Sequence, residues 1–159
     1  ATNFKGNENK FENSIKIYQT KGIGYIKNDL VEKNQDWVDK YKILIPKAIG
    51  SGDGRTDIIK PIISEPNTVC TETYIIVGPF NSLREIENAI SYIKTKFFHF
   101  MVTLVKVTQD ATSKVYRFVP MQDFSQSWSD EKLNKKYSLN KKEITYINSM
   151  ISEMSNKNG

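Results

Sequence analysis

The stretch Lys40–Arg55, KYKILIPKAIGSGDGR, joins a hydrophobic strand to a basic, glycine-rich loop, and its first half anchors the fold. Tyr41 to Ile45 is dense in β-favouring side chains, and Pro46 lacks the next backbone donor, so a buried strand is predicted to stop there. Beyond it Gly50, Gly52 and Gly54 recur at every second position, which lets the backbone lie close to another surface. A nucleotide-binding P-loop needs two glycines separated by four residues and then Lys-Ser/Thr, whereas here three residues separate Gly50 from Gly54 and Arg55-Thr56 follows. The dinucleotide fingerprint fails too, because its third glycine arrives one residue early. What remains is either a solvated connection or a cationic loop in which Lys47 and Arg55 flank N–H groups suited to anionic oxygens.

Working outward, Ser14–Thr20 alternates Ile15 and Ile17 with Lys16 and Tyr18, the pattern of a half-buried strand, and Gly22 and Gly24 permit a turn or bulge before Ile26. Asn28–Asp39 reads as a loop or short helix that seats Trp37 on the core. On the other side, Asp57–Ser64 is apolar around Lys60-Pro61, and the proline demotes it to an edge strand or extended connector. Tyr74–Val77 is a compact strand ended by Gly78-Pro79. From Asn81 to Lys106 apolar residues recur at three- and four-residue steps behind a Ser82/Glu85 capping box. This predicts one amphipathic helix of roughly 25 residues. Its far end, MVTLVKV, reads equally as strand, with the helix then stopping near Phe100. Val115–Val119 is a predicted strand. Short helices are predicted from Ser129-Asp130-Glu131 and, behind an Asn140/Glu143 cap, through Ile144, Ile147, Ile151 and Met154. The fold class is therefore α+β: a mixed or antiparallel sheet, one long amphipathic helix packed on it, and short C-terminal helices. Residues 1–13 read as a flexible arm and 14–159 as a single domain. The polar start at Ala1, without an initiator Met, reads as the edge of a fragment of a larger protein.

Composition narrows the function. One cysteine, Cys70, forms no internal disulfide and fits a reducing compartment, and with the single His99 it cannot make an ordinary Cys/His zinc site. No run of about 18 apolar residues and no signal peptide is present, which predicts a soluble, cytoplasmic protein with no membrane partner. The net charge of +5 is uneven. Residues 40–60 set Lys40, Lys42, Lys47, Arg55 and Lys60 against Asp53 and Asp57, and residues 94–117 set Lys94, Lys96, Lys106, Lys114 and Arg117 against Asp110. Two basic blocks on one face would be the electrostatic footprint of a nucleic-acid binder, although a solvated lysine-rich surface has the same arithmetic. Lys132, Lys135, Lys136, Lys141 and Lys142 form a further cluster, read as a solvated face or as phosphate contacts. A metal nuclease would need an acid and then Asp/Glu-x-Lys on a strand. The two matching triplets, Glu8-Asn9-Lys10 and Asp130-Glu131-Lys132 with Asp123 upstream, lie in the arm and at a helix start, so nuclease chemistry is not the expectation.

Four phrases in order carry a resemblance: KYKILIPKAIGSGDGR (40–55), EPNTVCTETYIIVGPF (65–80), NAISYIKTKFFHFMV (88–102) and KVTQDATSKVYRFVPMQDFSQSWSDEKLNKKYSLNKKEITYI (106–147). Together they resemble the C-terminal region of bacterial adenine-specific DNA methyltransferases of restriction–modification systems, closest to the type IIG kind, over about Trp37 to Ile151. The resemblance implies a target-recognition domain that grips double-stranded DNA and reads its sequence for a methyltransferase domain in cis, with a nuclease domain as a further partner in some members. The family's Asn-Pro-Pro-Tyr-type tetrapeptide and Gly-rich cofactor motif are absent, and the chain has no Pro-Pro pair. It is thus expected to hold no cofactor and catalyse nothing alone, S-adenosylmethionine belonging to the parent enzyme. On this reading Lys42, Lys47, Lys60, Lys106 and Lys114 neutralise phosphate, Ser51 and Gly52 bring loop backbone to the DNA, and Arg55, Asn67, Gln109 and Arg117 are candidates for base edges. The alternative is a structural or protein-interaction domain that packs on a methyltransferase or nuclease core and touches DNA little.

Overall fold

The alternation at Ser14–Thr20 forms β1 (Ser14–Gln19), and the turn at Thr20–Lys21 returns the chain as β2 (Gly22–Lys27) in antiparallel register, Ser14 opposite Lys27 and Gln19 opposite Gly22. The computed structural model describes residues 4–47, 59–105 and 113–151. The chain, expected as one domain over 14–159, divides by its internal packing into two compact units: residues 1–47 with 61–86, and residues 48–60 with 87–159.

The first unit holds two three-stranded sheets rather than one. After two short 3-10 turns at Asn28–Leu30 and Gln35–Trp37, β3 (Tyr41–Pro46) forms the centre of the second sheet, between β4 (Ile62–Ser64) and β6 (Tyr74–Phe80), antiparallel to both. Lys42, Ile43, Leu44 and Ile45 are all buried in a row instead of alternating, so β3 is covered on both faces as well as paired on both edges. Between them in sequence, β5 (Thr68–Cys70) crosses to the first sheet and pairs parallel with β1, Ile17 opposite Val69. The first sheet is therefore mixed and the second antiparallel. Ile15, Ile17, Ile26 and Val38 form a buried cluster, with Val31 and Val69 packed against it. β4 is an edge strand as expected of its proline neighbour.

Two expectations needed adjusting here. Gly78-Pro79 does not end β6, which continues to Phe80 through a register shift between Tyr41 and Ile43 of β3. The glycine takes φ +141°, a conformation closed to most side chains, and β6 is an edge strand, where a proline without N–H leaves no ladder bond broken. Residues 4–13, expected as a flexible arm, are tied down. The Gly6 N–H donates to Gln19 Oε1 at 2.9 Å, and Asn7 and Tyr25 exchange backbone bonds of 2.8 and 2.9 Å. Gly6 is there for space, since a Cβ would stand 2.9 Å from both Ile17 Cγ2 and the Tyr25 amide nitrogen.

The predicted long helix is two helices, α1 (Leu83–Ile93) and α2 (Lys96–Thr103). The N-terminal signal was correct in kind: Ser82 Oγ accepts from the Glu85 N–H, while Glu85 Oε2 reaches back to the Asn81 N–H at 2.8 Å. The break lies at Thr95, whose backbone is extended. Its hydroxyl accepts from the Phe98 N–H at 3.1 Å, and Asp130 accepts from the Lys96 and Phe97 N–H groups at 3.1 and 2.9 Å. The donors left open at a helix start are thus all met, three of them by side chains, and a second helix begins. The predicted strand at 115–119 is absent as well. Ser113–Tyr116 is a 3-10 turn, and the donors that follow are served locally, Arg117 N–H by Lys114 and Val119 N–H by Tyr116; among the described residues no strand pairs with it.

Within the second unit α2 packs against the 3-10 turn, α3 (Asp130–Lys136) and α4 (Lys141–Met150). Both C-terminal helices start where the sequence placed them: Ser129 caps α3, and Asn140 with Glu143 forms a reciprocal capping box on α4. Phe97 stacks on Tyr137 with ring centroids 5.0 Å apart, and Leu133 is wholly buried. No helix among the described residues is long and apolar enough to cross a membrane.

Candidate nucleic-acid interface

Of the eleven residues the sequence nominated, Ser51, Gly52, Arg55, Lys106 and Gln109 lie outside the described residues, as does most of the opening glycine loop. Three others belong to the first unit. Lys42 is 2% exposed, and its ammonium donates to the carbonyls of Trp37, Lys40 and Val38 at 2.6, 2.8 and 3.3 Å. All three N–H donors are spent inside the protein, so the phosphate role assigned to Lys42 does not hold. Burial lowers its pKa from the ordinary 10.5, with Cys70 and Asp39 pulling the other way.

Asn67 sits in the left-handed region (φ +60°) where the chain passes from β4 to β5. Its N–H donates to the Val38 carbonyl at 2.8 Å, and its carbonyl accepts from the Lys16 N–H at 3.3 Å. The backbone of Asn67 therefore ties β1 to the turn that precedes β3, a structural duty that asparagine suits because it tolerates positive φ. Its side chain remains exposed. Lys47 follows β3, half-buried, with its N–H on the Thr73 carbonyl at 2.9 Å.

The first unit also holds a cleft of about 430 Å³ lined by Trp37, Val38, Lys42, Val69, Cys70 and Tyr74 among others. Trp37 is half-buried there, as a core anchor would be. Burial pushes the Cys70 thiol up to about 11, against the opposing pull of Lys42 and Lys47. The smaller thiolate population, partly offset by the greater nucleophilicity of a high-pKa thiolate, predicts labelling by a disulfide reagent at pH 8 about tenfold slower than for a free cysteine. The pH dependence has a definite sign. Between the unfolded value of 9.0 and about 11 the unfolded chain releases a thiol proton that the folded chain keeps, so this group's stability contribution is intact below pH 9 and lost as pH rises to 11. Urea midpoints of wild type should fall relative to those of Cys70→Ala across that window; parallel profiles would contradict the assignment.

In the second unit Lys60, Lys114 and Arg117 are exposed. Lys60 follows the buried Ile59, and Lys114 and Arg117 stand on and just beyond the 3-10 turn, with the Arg117 guanidinium 5.3 Å from the centre of the Phe118 ring. The C-terminal lysines divide. Lys132 donates to the Ser127 carbonyl at 2.6 Å. Lys136 donates to Gln122 Oε1 at 2.6 Å and lies 4.8 Å from the Trp128 ring. Lys135, Lys141 and Lys142 remain exposed. None of Lys60, Lys114, Arg117, Lys135, Lys141 or Lys142 is in an ion pair with another described residue.

The acids of the nuclease-like triplet have other work. Asp130 accepts two α2 amides, and Asp123 accepts from the Ser125 N–H and Oγ, both at 2.9 Å, bonds that hold its carboxyl below the usual range. No group of three or more His, Cys, Asp or Glu able to hold a metal ion occurs among the described residues. His99 is buried in α2, as a core histidine is.

Sequence reasoning missed Phe118 and Met121, which are 58% and 81% exposed beside Arg117. Phe118 falls in the predicted strand Val115–Val119 and Met121 just past the proline that ends it; the signal available was two large apolar residues around a proline in a basic segment. It also missed an apolar groove of about 520 Å³ between α2 and α4, lined by Phe97, Phe100, Met101, Leu139, Tyr146 and Ile147. Comparison with protein-family models, with curated proteins and with solved structures returns no match to this chain.

Proposed function

We propose that this chain is the target-recognition module of a restriction–modification adenine-specific DNA methyltransferase, a cytoplasmic bacterial enzyme whose catalytic domain lies elsewhere. It supplies grip and sequence readout on double-stranded DNA and performs no chemistry alone, S-adenosylmethionine being bound by the parent enzyme. The observation that carries this reading is the run of four phrases in the family's order between Trp37 and Ile151. The exposed cations of the second unit support it: Lys60, Lys114 and Arg117 are in no ion pair with another described residue and so are disposed to meet phosphate or base edges.

A second reading, in which the chain packs on a methyltransferase or nuclease core, is favoured by the apolar groove between α2 and α4 and the exposed Tyr146, Met150 and Leu104. Salt separates the two. About three phosphate contacts would make the affinity of the isolated chain for a duplex fall about 40-fold between 50 and 200 mM salt. Fluorescence anisotropy on a labelled duplex measures this. No binding at low salt would favour the packing reading.

A further inference from the structure

The segment Lys114–Gln122 carries an apolar tip on a fixed base. At one end Val115 is buried; at the other Gln122 is buried, its Nε2 donating to the Tyr137 hydroxyl at 2.9 Å and to the Pro120 carbonyl at 3.3 Å. The Pro120 carbonyl also accepts from the Tyr92 hydroxyl at 2.8 Å, and the Val119 N–H donates to the Tyr116 carbonyl at 3.0 Å. Between these anchors Phe118 and Met121 project with 58% and 81% of their surface exposed. Large apolar side chains on a segment held at both ends gain little by exposure unless something covers them.

The charge of the segment indicates what covers them. Lys114 and Arg117 lie on it, and the chain holds no acid between Asp110 and Asp123. Asp123, the acid that follows the segment in sequence, has its carboxylate turned onto Ser125. Cations flanking an apolar tip match a polyanion with an apolar interior, which is what a base-pair stack presents. Two details favour insertion over flat stacking. Met121 has no π-face for a base to lie on, and the Arg117 guanidinium already occupies one side of the Phe118 ring. We propose that Phe118 and Met121 form a wedge that enters between base steps of duplex DNA, with Arg117 and Lys114 on the adjoining phosphates; this rests on the duplex-binding reading above. Apolar wedges of Phe or Met partly unstack a step and kink the duplex there. A prying wedge needs a fixed base, and the bonds to Pro120 and Gln122 supply it.

The test uses the 159-residue chain and duplexes carrying 2-aminopurine at successive positions, whose fluorescence rises on unstacking. Wild type should raise it severalfold at one or two adjacent steps. The F118A/M121A double variant should lose that rise, bind no more than about tenfold more weakly, and keep the wild-type dependence of affinity on salt, because no cation was removed. R117A should instead lower the salt slope by about one phosphate contact. Binding without a fluorescence rise, or a rise that survives in the double variant, would overturn the wedge and leave duplex binding standing. Failure to bind duplex at low salt would overturn both. A tip that seats on protein would show as self-association of the chain that the double substitution abolishes while fluorescence stays flat, and that result also overturns the wedge.

Discussion

Replacing Lys42 by Ala is expected to destabilise the first unit by about 3 kcal/mol, from the lost hydrogen bonds of a buried charged donor and the lost packing of its stem. The loss is not total, because two of the carbonyls it serves retain another donor: Val38 keeps the Asn67 N–H at 2.8 Å and Trp37 keeps the Lys40 N–H at 3.2 Å. Lys42→Met, which preserves the stem, should cost roughly half as much. Urea unfolding followed by tryptophan fluorescence measures both, with Trp37 as the reporter in that unit. The same pair tests the geometry against DNA binding. Since all three ammonium donors point at carbonyls, Lys42→Met should, on the proposed duplex-binding reading, leave duplex affinity and its salt slope unchanged. A drop of one phosphate contact in a folded Lys42→Met would show that the ammonium reaches outward.

Asp130→Ala should destabilise the second unit by about 2–3 kcal/mol. The carboxylate accepts two charge-assisted bonds, from the Lys96 and Phe97 N–H groups, at the positive end of α2, while its own backbone lies in the first turn of α3. One acid thus serves the starts of two helices. Without it two half-buried amides at the Thr95 break lose their acceptors, and the capping bond from Thr95 alone remains. Asp130→Asn keeps a neutral acceptor and should recover about half of the loss. Trp128, buried nearby in sequence with its Nε1 on the Asp123 carbonyl at 2.8 Å, reports the transition. An unchanged urea midpoint for Asp130→Ala would mean that the break in the helix is held by Thr95 and packing alone.

The candidate site was legible only in part. Lys114 and Arg117 were identified from charge and are exposed. Lys42 carries the same charge and faces inward, because this strand is buried on both faces and three carbonyls lie within reach of the ammonium. Asn67 was picked for its amide, whereas its backbone conformation at the crossing between two sheets accounts for an asparagine there. Phe118 falls inside the predicted strand Val115–Val119, and whether a strand forms depends on a neighbour that no single segment reveals; Met121, just past Pro120, lies beyond that strand.

What is settled within a few residues was readable from the chain: the strands at Ser14–Gln19 and Tyr41–Pro46, and the helix starts at Ser129 and Asn140, where cap and capped amide are three residues apart. The tertiary structure decided the rest. The unbroken apolar period from Leu83 to Val102 is compatible with one helix or two, and Asp130, some 34 residues downstream, supplies the acceptors with which a second start at Lys96 is stable. Two sheets formed rather than one because β5 found its partner in β1, far earlier in the chain. Local hydrogen bonds close within the segment that encodes them; these others close only when distant residues meet.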